Sequence, residues 1–342
     1  MHDENTPTGL AVVNGTWLDA QTFPEMKWVV PGVIPEGLSI LAGAPKLGKS
    51  WLTFGIALAV AAGGRALGSI PVGDPRPVLL LALEDGHRRL QTRARHLLEG
   101  APIPAMLEMA IKGTPLEIEA HIIEWLERHT DAAPLIIIDT LGKVMPNEST
   151  GESAYARDYR VIGKYKRLVD EHPGAGLVFV HHTKKGAMGD FLESVSGTQG
   201  IAGAADSTLI LTRPRQSSGG ILAVTGRDVP ENEYAMTSDS GRWNLDGKDL
   251  VEAAQVAVSR QNTEGVGDKS AEIIDLVEKN PHGITPAQVD IALGIKDSRT
   301  YLGRLYDAGR IARPSRGKYA PVASVASVAN GGQAPSSGVT RF

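Results

Sequence analysis

Residues 41–50 read LAGAPKLGKS, and the reading of this stretch decides the fold. Gly43, four residues, then Gly48-Lys49-Ser50 is the spacing of a phosphate loop. The two glycines let the backbone turn sharply with no Cβ in the way, so the amides between them can point inward at anionic oxygens. Lys49 can reach the β- and γ-phosphates of a nucleotide as a point charge. The Ser50 hydroxyl can complete a Mg²⁺ shell. The flanks agree. GLSILAG reads as a strand over Leu38–Ala42, and GKSWLTFGIALAVAAGG reads as a helix closed by Gly63-Gly64. The expected phosphate-binding set is Gly43, Ala44, Pro45, Lys46, Leu47, Gly48, Lys49, Ser50 and Trp51.

Working outward, 342 residues allow one large and one small domain. Cysteine is absent, which excludes a disulfide framework, thiolate catalysis and Cys-ligated metal, and suits the cytoplasm. MHDENTPTG lacks the basic and apolar regions of a signal peptide, and runs such as IALAVAAGG are too short to span a membrane. Residues 1–259 carry 24 Lys+Arg against 31 Asp+Glu, a balance of −7, whereas residues 296–320 carry seven basic against two acidic, a balance of +5. Nucleic acid therefore suits the C-terminal part better than the average surface.

Four segments are expected: an arm over 1–30, a main domain over 31–259, a small domain over 268–322, and a disordered tail over 323–342 rich in small and polar residues. Within the main domain, strands read at Val78–Leu83, LEMAI, APLIIIDT, GAGLVFVHH, ADSTLILT, GGILAVTG and EYAMTSD. Helices read at HRRLQTRARHLLEG, LEIEAHIIEWLERHT and Ala154 to about Glu171. Alternating strands and helices predict a mostly parallel α/β sheet covered on both faces, with active groups at the carboxyl ends of the strands.

Candidate chemistry falls at those ends. Asp139 closes LIIIDT and can hold the Mg²⁺ hydration shell opposite the loop. Glu84 and Asp85 close the second strand, which is expected beside the loop strand. Glu84 can accept a proton from the attacking water, and Asp85 can do so instead or cap the next helix. His181 and His182 can sense a γ-phosphate; with no cysteine and no spaced ligand set, zinc is a poor alternative. Arg213, Arg215 and Arg227 sit at strand ends expected away from the loop, where an arginine can serve a neighbouring subunit's site.

The pieces GAPKLGKS, LALEDGHRRLQTR, LIIIDT, VHHTKKG, SGTQGIAGAADSTLILTR and GRDV together resemble the RecA-like hexameric replicative helicases, especially the RepA-type plasmid and phage helicases, over roughly residues 25–245. The resemblance implies an α/β P-loop NTPase core that hydrolyses ATP with Mg²⁺ at subunit interfaces. It implies a ring, expected to be a hexamer, acting on single-stranded DNA. In that family Glu84 falls on the catalytic base, Arg93 on an arginine in the following helix, Asp139 on the Mg²⁺-associated aspartate and His182, with His181, on the polar sensor. Arg227 falls on the arginine finger, and Gly197–Asp206 on the segment whose loop lies near the central channel. Two features depart from the family: only about 30 residues precede the core, and Thr225 stands where relatives often carry Lys. Aromatic content of 5 % does not advertise base stacking.

The small domain reads as three helices and a hairpin, resembling a winged helix. Thr285 caps the second helix with Pro286 in its first turn, and the hairpin turns at Ser315–Gly317. Arg299, Arg304, Arg310, Arg313, Arg316 and Lys318 are its candidate phosphate contacts to duplex DNA; a protein-docking role is the alternative. The expected function is an ATP-dependent helicase or translocase of a plasmid, phage or integrated element. The alternative is a DNA-binding regulatory ATPase of the same fold.

Overall fold

The computed structural model describes residues 12–146, 152–183, 203–214, 217–263 and 268–322. Arg215, most of the Gly197–Asp206 segment and the expected tail at 323–342 lie outside the described residues.

A short helix α1 (Gly15–Asp19) is capped by the Asn14 side chain and buries none of its residues. The ribbon β1 (Trp28–Val30) and β2 (Ile34–Pro35) leads into the loop strand β3 (Gly37–Gly43) and helix α2 (Lys49–Ala62). Gly63 ends α2 in the left-handed conformation, φ 65°, as a glycine C-cap does. A second ribbon, β4 (Arg65–Ala66) and β5 (Ile70–Pro71), precedes β6 (Val78–Ala82), α3 (His87–Leu97), β7 (Leu107–Ala110) and α4 (Pro115–Arg128). Then come β8 (Leu135–Asp139), α5 (Ala154–Asp170), β9 (Gly176–His182), β10 (Ser207–Thr212), β11 (Gly219–Gly226), β12 (Asn232–Asp239) and β13 (Arg242–Leu245). Helix α6 (Leu250–Thr263) ends the main body. The sequence reading assigned neither β13 nor α6, nor the two short ribbons.

Nine strands form one sheet in the order β13-β12-β11-β10-β3-β9-β8-β6-β7. From β10 to β7 neighbours run parallel, and from β10 to β13 antiparallel. Strand side chains alternate between faces, so β8 sends Leu135 and Ile137 into one core with α2, and Ile136 and Ile138 into the other with α4 and α5. This double burial is why β8 reads as an unbroken β-branched run.

One expectation about order fails. β6 does not lie beside β3, because β9 and β8 intervene. The covering of both faces requires long crossovers, and these skip neighbours in a way that local pattern does not encode.

The smaller unit comprises α7 (Asp268–Glu278), α8 (Pro286–Leu293), α9 (Ser298–Asp307) and the hairpin β14 (Ala312–Ser315) and β15 (Lys318–Ala320). Thr285 makes a full capping box with Gln288. Ile273, Ile274, Val277, Val289, Leu302, Leu305 and Ile311 form its own core.

Ile137 is fully buried in the central sheet. Ile137→Ala is expected to lower unfolding stability by about 2–5 kcal/mol, measured by urea denaturation. A loss below about 1 kcal/mol would contradict the core described here.

Candidate active site

The phosphate loop leaves β3 where the sheet leaves no room for side chains. A Cβ on Gly43 would lie 2.6 Å from the backbone oxygen of Leu211 on the neighbouring strand. At Gly48, φ is 98°, and Trp243 packs over it, its Nε1 donating to the Gly48 carbonyl at 3.2 Å. Lys49 is 3 % exposed. Its ammonium donates to the carbonyls of Gly43 at 2.7 Å and Ala44 at 2.9 Å, and to His182 Nδ1 at 2.9 Å. Burial pushes the Lys49 amine down to about 8, against the opposing pull of the Asp139 and Glu84 carboxylates.

Because Lys49 can only donate, His182 Nδ1 must accept, which leaves the proton on Nε2. That nitrogen faces Glu84, with Nε2 to Oε2 at 3.9 Å. Burial first, and the Lys49 charge second, hold His182 below its ordinary range. Glu84 itself is about half-exposed at 48 % of its side chain. It reaches this position from the distant strand β6 because Leu83 N bonds Asp139 O at 2.8 Å, carrying the chain across the end of β8. His181 follows strand alternation to the other face, where burial lowers it and the buried Asp158 of α5 pulls it upward.

Asp139 ends β8 and is 7 % exposed. Burial raises its carboxyl, the Ser50 hydroxyl bonds to it and lowers it, and Glu84 and Asp85 raise it further. Ser50 and Asp139 thus form an oxygen pair at the mouth of the loop, with Glu84 near enough to be felt. Among the described residues no group of three or more His, Cys, Asp or Glu could hold a metal by itself. A hydroxyl plus a carboxylate fits Mg²⁺, which binds through one or two protein oxygens together with substrate phosphates.

Asp85 does not cap α3, whose N-cap is Gly86 with no side-chain bond. Its carboxylate instead receives Arg89 at 2.8 Å and Arg93 at 2.5 Å, both from α3. Two guanidiniums outcompete the backbone amides for one partly buried carboxylate. Arg93 is thereby held 5.0 Å over the ring of Trp51, with His96 at the ring's edge. These residues, with Arg89, Thr92 and Ser240, line an open pocket of about 430 Å³ beside the start of α2. Sequence reading placed Trp51 in the loop and Arg93 in the helix after Glu84, but missed Trp243, His96 and Ser240. The tryptophan in the unassigned GRWNL segment was the available signal.

The arginines divide. Arg213 follows β10 at its carboxyl end, 5.5 Å over Trp243 and so on its own loop's side, contrary to expectation. Its strand runs parallel to β3, which fixes that end. Arg227 lies at the opposite edge. Gly226 pairs with Ser207, which pairs with Ser39, so about 13 Å of strand separates that level from Gly43. Thr225 pairs with Thr208 on the same strand. Of the basic residues in the smaller unit, Arg299, Arg304, Arg313, Arg316 and Lys318 are exposed. Arg310 is half-buried, and its Nη1 donates to the carbonyls of Gln261 and Asn262 at the end of α6. Those carbonyls lie in the last turn, where a helix lacks internal donors. No helix among the described residues is long and apolar enough to cross a membrane.

A family profile described as an AAA domain matches residues 5–188, which is 184 of the 342 residues. No curated protein matches the chain. Many solved structures are similar to it, and two serve as examples. One, described as an ATPase domain, has 12 % identity and a TM-score of 0.48, covering 61 % of this chain and 84 % of that one. The other, "The Structure Of A DnaB-Like Replicative Helicase And Its Interactions With Primase", has 11 % identity and a TM-score of 0.47, covering 61 % of this chain and 57 % of that one. The chain therefore spans little more than half the length of the second.

Two outcomes are expected. The neutral amine of Lys49 is favoured in the free site above a pH of about 8, while bound phosphates favour the ammonium. Nucleotide affinity should hold steady just below that pH and fall as pH rises through it, by up to about tenfold per unit. A flat binding curve across that range would contradict a phosphate contact at Lys49. Separately, Asp85→Asn should raise KM for nucleotide by freeing Arg93 from the Trp51 pocket, with kcat largely kept. A kcat collapse at unchanged KM would make Asp85 the base instead of Glu84.

Proposed function

The chain belongs to the AAA domain family, and from that premise we propose that it is an ATP-driven motor that moves along single-stranded DNA as a ring, in the replication of a plasmid, phage or integrated element. The observation that carries the reading is the separation of Arg227 from the chain's own phosphate loop by the height of the sheet. An arginine there is useless to its own site and available to a second copy's.

In the hydrolytic step, Lys49 leaves its loop carbonyls for the β- and γ-phosphate oxygens. Glu84 takes the proton from a water whose oxygen attacks the γ-phosphorus, as the bond to the β-bridging oxygen breaks. His182, between Lys49 and Glu84, responds to the phosphate's presence. Arg227 of an adjoining copy stabilises the charge developing on the transferred group. Mg²⁺ would be held by Ser50 and Asp139 and would supply positive charge to the phosphate oxygens. The Trp51–Arg93 pocket is the natural seat for the base, offering a ring and a guanidinium plane.

Support for a single-stranded partner comes from the YARDYR stretch of α5. Tyr155 and Tyr159 are half-exposed and nearly parallel, with centroids 6.1 Å apart, and arginines are interleaved. Stacking capacity is thus present despite the low aromatic content. For the smaller unit, the three-helix and hairpin arrangement with its exposed basic residues supports a winged-helix-like contact to duplex phosphates.

A forked DNA substrate tests the motor. ATP-dependent release of the shorter strand is expected; ATP-dependent footprinting on duplex without displacement would favour the regulatory ATPase. The shared site has its own test. Arg227→Ala should keep nucleotide binding and lose about 10³-fold in hydrolysis. Mixing Arg227→Ala with Glu84→Gln subunits should restore part of the activity, because some interfaces then carry both groups. No recovery at any ratio, in rings shown to be mixed, would remove Arg227 from the neighbouring site.

A further inference from the structure

Asp206 sits at the amino-terminal edge of the sheet, bonded on several sides, and the hydrolytic step does not use it. Its side chain accepts from Leu38 N, the second residue of β3, at 2.9 Å. Both of its oxygens also lie 2.8 Å from Lys166 Nζ of α5. Its own amide donates to Leu38 O at 2.8 Å, and its carbonyl accepts from Arg227 N at 2.9 Å. The packing is close enough to exclude side chains at both neighbours. A Cβ on Gly37 would meet the Asp206 carboxylate at 2.5 Å, and one on Gly226 would meet the Asp206 carbonyl at 2.7 Å.

Asp206 is therefore bonded at once to the start of the phosphate-loop strand, to helix α5 and to the backbone of Arg227. The Arg227 side chain, by contrast, makes a long contact among the described residues, from Nη2 to Gly203 O at 3.5 Å. Its aim is set by where its backbone is fixed. We propose that Asp206, held by Lys166, is a positioning residue that fixes Arg227 for insertion into the neighbouring subunit's ATP site. The inference rests on the reading of Arg227 as a group acting in trans.

The physical case is one of charge and geometry. A partly buried carboxylate that loses its ammonium partner, or an amide that loses its carboxylate, is left unsatisfied and relaxes. Relaxation at Asp206 moves Arg227 N directly, through one hydrogen bond. The phosphate loop feels it only through the length of β3, which β9 and β10 hold on both sides. A defect at Asp206 should thus impair the ability to donate an arginine more than the ability to accept one.

Subunit mixing separates those two abilities. Asp206→Ala rings should hydrolyse ATP about tenfold or more slower than wild type, short of the ~10³-fold loss of the arginine itself. Asp206→Asn keeps an acceptor for Leu38 N but drops the charge facing Lys166, and should fall between. Asp206→Ala mixed with Glu84→Gln should recover activity, because the first supplies an intact loop and base and the second an intact arginine. Asp206→Ala mixed with Arg227→Ala should not recover, because both fail as donors. Recovery in the second mixture, or none in the first, overturns the positioning role; failure in the first would mean the substitution damages its own site. The Arg227→Ala and Glu84→Gln mixture is run alongside. If that pair fails, the in-trans reading falls and this inference with it; if it recovers while the Asp206 mixtures misbehave, only this inference falls.

Discussion

A buried ammonium organises the site. Lys49 has three protons and places all three, on the carbonyls of Gly43 and Ala44 and on the ring of His182. An unpaired cation at 3 % exposure would cost several kcal/mol, so the loop closes around its own lysine and β9 must end beside it. The bonding fixes the His182 tautomer, which turns a proton toward Glu84. Phosphates arriving at this loop exchange partners with a cation already in place. That is preorganisation in the sense that matters for phosphoryl transfer, where positioning and charge supply most of the catalysis.

The sheet then assigns roles by face and by edge. Consecutive residues of β9 point to opposite faces, so His182 meets Lys49 while His181 meets Asp158 under α5. The carboxyl edge gathers the loop, Glu84, Asp139, Ser50 and Arg213. The amino edge gathers Asp206 and Arg227. β3 runs between them, bonded at one end to Asp206 and opening at the other into the loop. The phosphate loop and Arg227 therefore lie at opposite ends of the sheet, about 13 Å of strand apart.

The outer antiparallel strands also contribute to the nucleotide site. Trp243 on β13 reaches across to cover Gly48, and Arg213 stacks on it. Ser240, in the turn before β13, joins α3 in the pocket beside Trp51. These strands are more than an edge extension of a parallel sheet.

Sequence by itself determined the loop, its flanking strand and helix, the buried strand ending in Asp139 and the Thr285-capped helix of the smaller unit. Each is written in spacing over a few residues: glycines where the backbone turns, β-branched runs where both faces are buried, Thr-Pro where a helix starts. It also narrowed the site, since Lys49, Ser50, Asp139, Glu84 and His182 do converge. Tertiary structure alone decided the rest. Strand order depends on crossovers, so β9 and β8 lie between β3 and β6 although the sequence suggested neighbours. Asp85 was legible as a cap, but two arginines one and two turns along α3 bind it more strongly. Arg213 and Arg227 look alike as residues after strands; opposite strand directions send one to its own loop and the other to the far edge. Arg310 looks like its basic neighbours until the end of α6 is placed against it. In each case the deciding partner is set by strand direction, helix docking or charge competition, and those are properties of the folded chain.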